Sequence, residues 1–116
     1  MAIKEKQTGA GATDSMDGLW TATWSGMLNQ TYTIRFKQTG QTFSGEYVDY
    51  KYPNKFSGVI YTGRGGRIVN IVHSLLTARE DENYYAVWNG IWRGNVIEGY
   101  FVDVQGNTAN ITLRKK

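Results

Sequence analysis

The sequence predicts an all-β protein, an eight-stranded antiparallel up-and-down barrel, and three observations carry that prediction. From Gly18 onward, eight short runs rich in β-branched and aromatic residues follow one another. Brief connections built on Gly, Asn and Pro separate them. None of these connections offers the dozen or more residues that a helical crossover between parallel strands requires. Closing such a meander removes both exposed edges, which makes a barrel the economical arrangement and a two-sheet sandwich the alternative.

Taken in order, the runs are 19–25, 31–38, 42–50, 55–62, 67–76, 84–93, 96–104 and 108–115. Alternation is clearest in the second, where Tyr32, Ile34 and Phe36 share one face and Thr33, Arg35 and Lys37 the other. The last run repeats it, with Ala109, Ile111 and Leu113 set against Asn110, Thr112 and Arg114. The turns fall at Thr39-Gly40-Gln41, Tyr52-Pro53-Asn54, Gly63-Arg64-Gly65-Gly66, Gly94-Asn95 and Gln105-Gly106-Asn107. Four runs also carry a glycine between bulky positions: Gly45, Gly58, Gly90 and Gly99. A mid-strand glycine suits a sharply coiled sheet or the close approach of another backbone or ring.

Residues 1–16 include Gln7-Thr8-Gly9-Ala10-Gly11-Ala12-Thr13, which has no periodic apolar face, and are expected to form a flexible tail before a single domain over 17–116. A chain of 116 residues has room for one core. There is no cysteine, so stability must come from packing and backbone pairing. With no apolar run long enough for a membrane span or a signal peptide, the chain reads as soluble, either cytoplasmic or secreted with its leader removed.

Thirteen basic against ten acidic residues leave a net charge of +3, too sparse for a nucleic-acid stripe. The Gly63-Arg64-Gly65-Gly66-Arg67 segment reads as a hairpin turn, because RNA-binding RGG tracts repeat in disordered sequence. Catalysis has little to build on. The sole histidine, His73, has no cysteine nucleophile and no second histidine to share a metal, and is read as a structural or surface residue. Glu80, Asp81 and Glu82 form one solvated loop; Glu46, Asp49, Glu98 and Asp103 would need to converge inside the barrel to act as acid and base. The chain is therefore expected to be a non-catalytic binding module with no metal and no cofactor.

Gly18-Leu19-Trp20 at the head of the first run and Arg114 near the end of the last resemble the signature of the calycin barrels, the superfamily of lipocalins, fatty-acid-binding proteins and avidins. That resemblance implies a Trp20 ring closing one end of the barrel beneath the Arg114 side chain, a cation–π contact of about 0.5 to 2 kcal/mol. The short hairpins are closer to an avidin-like barrel than to a full lipocalin. Biotin recognition is not implied, because the family's Asn two residues past the Trp is replaced by Ala22.

Four Trp, eight Tyr and four Phe supply the functional reading. Tyr32, Phe36, Tyr47, Tyr85, Trp88, Trp92 and Phe101 are candidates for the interior, which either fills itself with these rings or leaves room for one small ligand. An apolar or aromatic molecule in the open end, lined by Tyr32, Phe36, Trp88 and Trp92, is the expected function. A protein–protein interaction or inhibitor module with a filled barrel is the alternative. Tyr50, Tyr52, Tyr61, Tyr84 and Tyr100 are expected to face outward, where they make a homo-oligomer plausible.

Overall fold

In the computed structural model, residues 15–26, 30–48, 54–75 and 84–116 are described. They form eight strands: β1 (Gly18–Gly26), β2 (Gln30–Thr39), β3 (Thr42–Tyr47), β4 (Asn54–Gly63), β5 (Gly66–Leu75), β6 (Tyr85–Arg93), β7 (Val96–Asp103) and β8 (Thr108–Lys115). Each pairs antiparallel with the next, and β1 pairs with β8, so the sheet closes into an up-and-down barrel. The described residues contain no helix. Gly40 and Gly94 open two of the tight hairpins at positive φ, 63° and 61°, where a side chain would be strained.

Alternation decides what fills the barrel. Inward positions carry Trp20, Ala22 and Trp24 on β1, Ile34 and Phe36 on β2, Phe56 and Ile60 on β4, Trp88 and Trp92 on β6, and Ile111 and Leu113 on β8, all buried. Most of the ring pairs meet edge to face, as between Trp20 and Trp92 with centroids 6.0 Å apart and between Trp24 and Trp88 at 5.1 Å. Such pairs add about 0.5 to 1.5 kcal/mol each beyond the area they bury.

The mid-strand glycines make this filling possible. A Cβ at Gly45 would lie 2.5 Å from the Phe36 ring, and one at Gly58 would lie 2.1 Å from the Phe43 ring. At Gly99 the obstacle is backbone, the Asn89 carbonyl oxygen at 1.8 Å. Glycine at these four positions is therefore a steric necessity, because ring or strand occupies the space a methyl would need.

Strand parity corrects three sequence-based placements. Arg114 does not cover Trp20. It lies opposite Thr21 in the β1–β8 register and is exposed, whereas Lys115, one residue on, registers with Trp20 and brings Nζ to 5.9 Å from the ring centroid. The guanidinium that stacks on an indole is that of Arg67, 3.7 Å above Trp92. Tyr85 points outward and is half exposed, while Tyr84 packs against the core, because Tyr84 and not Tyr85 shares the parity of Trp88. Tyr50 and Tyr52 lie outside the described residues.

Met16, assigned by sequence to the tail, is fully buried. Residues 15–17 strap the Trp20 end: Trp20 Nε1 donates to the Met16 carbonyl at 2.9 Å, Met16 N to Gln38 Oε1 at 2.8 Å, Gln38 N to Asp17 Oδ1 at 2.7 Å and Lys115 Nζ to the Ser15 carbonyl at 2.7 Å. An indole N–H with a fixed acceptor and a methionine sealed against it supply a stopper that repetitive alternation does not announce.

Replacing Trp20 with Ala is expected to cost about 3 to 5 kcal/mol in urea unfolding. Arg114→Ala should stay within about 0.5 kcal/mol of wild type, as for a surface side chain. Gly99→Ala should destabilise by at least about 2 kcal/mol because the backbone must yield. Gly65→Ala, in a turn with nothing within 4 Å of the added methyl, should be close to neutral; equal losses at Gly65 and Gly99 would refute the steric account.

Candidate functional site

The barrel's two ends differ in how their polar groups are spent. At the Trp20 end every link of the strap has a partner, and Trp92 Nε1 donates to the Gly94 carbonyl at 2.9 Å. The opposite end is where β1, β3, β5 and β7 finish and β2, β4, β6 and β8 begin. Three tyrosines, Tyr32, Tyr47 and Tyr84, are half-buried there and pack on the core, with Tyr32 and Tyr47 in contact at 4.9 Å.

Beneath these tyrosines lies His73. β5 alternation turns it inward after Val69 and Ile71, and only 5% of it is exposed. Its ring stacks on Phe56, its cross-strand partner, with centroids 4.4 Å apart, and meets Tyr47, Tyr84 and Trp88 edge to face. Nε2 is 2.6 Å from Asn54 Oδ1, a pairing that places the ring proton on Nε2 and turns the lone pair of Nδ1 away from Asn54. Burial lowers the His73 pKa to about 4 against the opposing pull of the Asp103 charge, so the imidazole is neutral at pH 7.

Asp103, also buried, is the charge among the described residues that acts on His73. Burial works against its ionisation, but the side chain and backbone N–H of Asn107, the Tyr84 hydroxyl and the Gln105 N–H outweigh it and hold the carboxyl below its ordinary value. Those donors sit 2.9 to 3.0 Å from its oxygens, so the carboxylate is committed to the β7–β8 turn. Burial, the hydrogen bond to Asp103 and its charge together push the Tyr84 hydroxyl far above its usual value, and it remains a donor.

Two buried polar atoms have no hydrogen-bond partner among the described residues: His73 Nδ1 and Trp88 Nε1. Both belong to this end, on rings whose centroids are 5.6 Å apart. One is an acceptor and the other a donor. Leaving either buried without a partner costs about 1 to 3 kcal/mol, and these two atoms are the buried side-chain polar groups for which the described residues provide none.

Of the expected lining residues, the structure brings Tyr32 and Trp88 together around Trp24, with ring centroids 5.7 and 5.1 Å from it. It does not bring Phe36 and Trp92 to them. Both are buried against Trp20 at the strapped end, with centroids 6.5 and 6.0 Å away. Position along the strand separates the two pairs, since Phe36 lies four residues beyond Tyr32 on β2 and Trp92 four beyond Trp88 on β6. Ala22 faces inward between the two clusters. Asn54, His73 and Tyr84 are the residues sequence reasoning left out of the site; the signal for His73 is its parity with Val69 and Ile71.

Glu46 and Glu98 point outward and cannot converge with Asp103, and Asp49 lies outside the described residues. Among the described residues no cluster of three or more His, Asp or Glu side chains is arranged to hold a metal ion. No family model, curated protein or solved structure matches this chain.

Because His73 titrates near 4 when folded and near 6.5 when unfolded, the unfolded chain binds the extra proton between these values. Stability present above pH 6.5 is therefore lost as pH falls toward 4, by up to about 3 kcal/mol. His73→Phe should flatten that slope in urea melts. A His73 resonance titrating near 6.5 in the folded protein would contradict its burial.

Proposed function

We propose that this chain is a non-catalytic binding module of calycin-like type, taking one small aromatic or apolar molecule at the Tyr32–Tyr47–Tyr84 end of its barrel. The observation that carries the reading is the pair of buried atoms that have no partner among the described residues, His73 Nδ1 and Trp88 Nε1, within a box of aromatic rings. A ligand suited to it is flat and neutral, with a donor for His73 Nδ1 and an acceptor for Trp88 Nε1 at neighbouring positions. An anion gains nothing from a neutral imidazole, and a cation must shed its water among rings beside which the described residues place one buried carboxylate, Asp103, already committed to its own turn. Tyr32 and Trp88 line this site, with Trp24 as its floor. Phe36 and Trp92 support the opposite end, so the proposed lining set is narrower than the four residues expected from sequence.

The continuous packing of rings through the interior favours a second reading, in which the barrel is filled and works by its outer surface. Tryptophan fluorescence separates the two, since Trp24 and Trp88 sit at the proposed site. Titration with a panel of neutral heteroaromatic compounds is expected to give saturable quenching that His73→Phe and Trp88→Phe each weaken by about tenfold, the loss of one hydrogen bond. Native mass spectrometry showing one retained small molecule would agree. If no compound saturates and the variants behave as wild type, the filled-barrel reading replaces this one.

A further inference from the structure

The outer surface of the barrel is divided as sharply as its interior. Among the described residues, all nine exposed large apolar side chains lie on one continuous stretch of wall: Tyr61, Ile68, Val72, Tyr85, Val87, Ile91, Tyr100, Val102 and Val104. Their registers join them into rows across β4 to β7, with Tyr61 opposite Ile68, Ile68 opposite Ile91, Val72 opposite Val87 and Val87 opposite Val102. The other half of the wall presents Thr21, Thr23, Thr31, Thr33 and Ser44 with Arg35 and Lys37. Scattered surface hydrophobes need no explanation, but a gathered face does.

We propose that a second copy of this chain docks on the outer face of β5, β6 and β7, forming a two-fold dimer. Tyr61, Tyr85 and Val104 are 57%, 52% and 62% exposed, and the nine side chains together offer on the order of 800 Å², the contribution each partner makes to an interface of standard size. The middle of the face is self-complementary. Asn70 and Asn89 are cross-strand partners whose amides hydrogen-bond, which leaves one amide oxygen and one amide N–H₂ group turned outward between the valine and isoleucine rows. A two-fold axis near them lets the oxygen of each copy accept from the amide of the other, the reciprocal matching an isologous interface demands. Charge does not oppose the contact: Arg93 and Glu98, of opposite sign, are the charged side chains on the outer faces of β6 and β7.

Sedimentation of the full chain over a wide concentration series tests this, independently of any ligand. The expected result is a reversible dimer that Val87→Lys weakens at least about 30-fold, because a charge would be desolvated without a partner. Thr23→Lys, on the opposite wall, should leave it unchanged. Asn89→Cys, in a chain with no other cysteine, should be captured as a dimer by a short thiol-reactive crosslinker and Thr23→Cys should not, which keeps the test decisive if Val87→Lys fails to fold. A monomer at every concentration, a dimer that Val87→Lys leaves intact, or a monomeric protein whose apolar face takes up lipid vesicles instead would overturn the proposal.

Discussion

Everything in this barrel depends on fitting large aromatic rings into an interior whose width is fixed by eight strands. The fit works because the chain sets glycine on the wall where a ring from the next strand arrives: Gly45 beside Phe36 and Gly58 beside Phe43. Ring and gap are adjacent across a strand pair, so the sheet can coil tightly without leaving a void on one side or a clash on the other. At Gly90 and Gly99, partners across β6 and β7, an added methyl would meet the Ile97 side chain at 2.7 Å and the Asn89 carbonyl oxygen at 1.8 Å. Closure, register and core composition thus answer to a single steric condition.

With the interior filled, the chemistry moves to the ends, and the ends are unlike. Near Trp20 the strap of residues 15–17 satisfies the polar groups of Gln38, Lys115 and the indole together, so that end is sealed by mutual hydrogen bonds. Around His73 the arrangement is the reverse. Asn54 and Asp103 each complete some bonds, yet an imidazole nitrogen and an indole N–H find no partner among the described residues, inside a wall of rings. Packing alone would favour an apolar side chain at position 73, since a buried imidazole contributes less to stability than a ring without nitrogen and makes the fold sensitive to acid. The cost is intelligible if the nitrogen has another task.

Much of the architecture was legible from alternation and punctuation. The strands of the barrel fall within a residue or two of the apolar-polar runs, except that β3 ends at Tyr47 where the run extends to 50, and the glycine turns sit where positive φ is needed. Parity was the weaker signal. In a strand such as Val96–Asp103 both faces carry apolar residues, so the pattern does not say which of Phe101 and Val102 is inside. A slip of one residue exchanges Arg114 for Lys115, which separates a family-like stopper from the one observed, and at the opposite end exchanges Tyr84 for Tyr85. Met16 was illegible for another reason: it belongs to no strand, and hydrogen bonds with Gln38 at the far end of β2 and with the Trp20 indole hold it in the core. The division of Phe36 and Trp92 from Tyr32 and Trp88 required knowing the height of each side chain along the barrel, which spacing within a single strand suggests but only pairing across strands fixes.

The same ambiguity of parity carries information of its own. A strand that covers a core on one side and meets water on the other needs apolar residues at alternate positions, and β2 and β8 follow that economy. β5, β6 and β7 do not: Ile68 with Val69, Ile71 with Val72, Ile91 with Trp92 and Phe101 with Val102 are apolar on both faces. Strands written in that way are ordinarily buried on both faces. The barrel accounts for the inner half of each pair and leaves the outer half unexplained, on neighbouring strands whose face Tyr61, next to the buried Ile60, extends onto β4. What makes these strands hard to orient from sequence is thus the same property that sets their outer face apart: their composition already suits contact on two sides, of which the folded monomer supplies one.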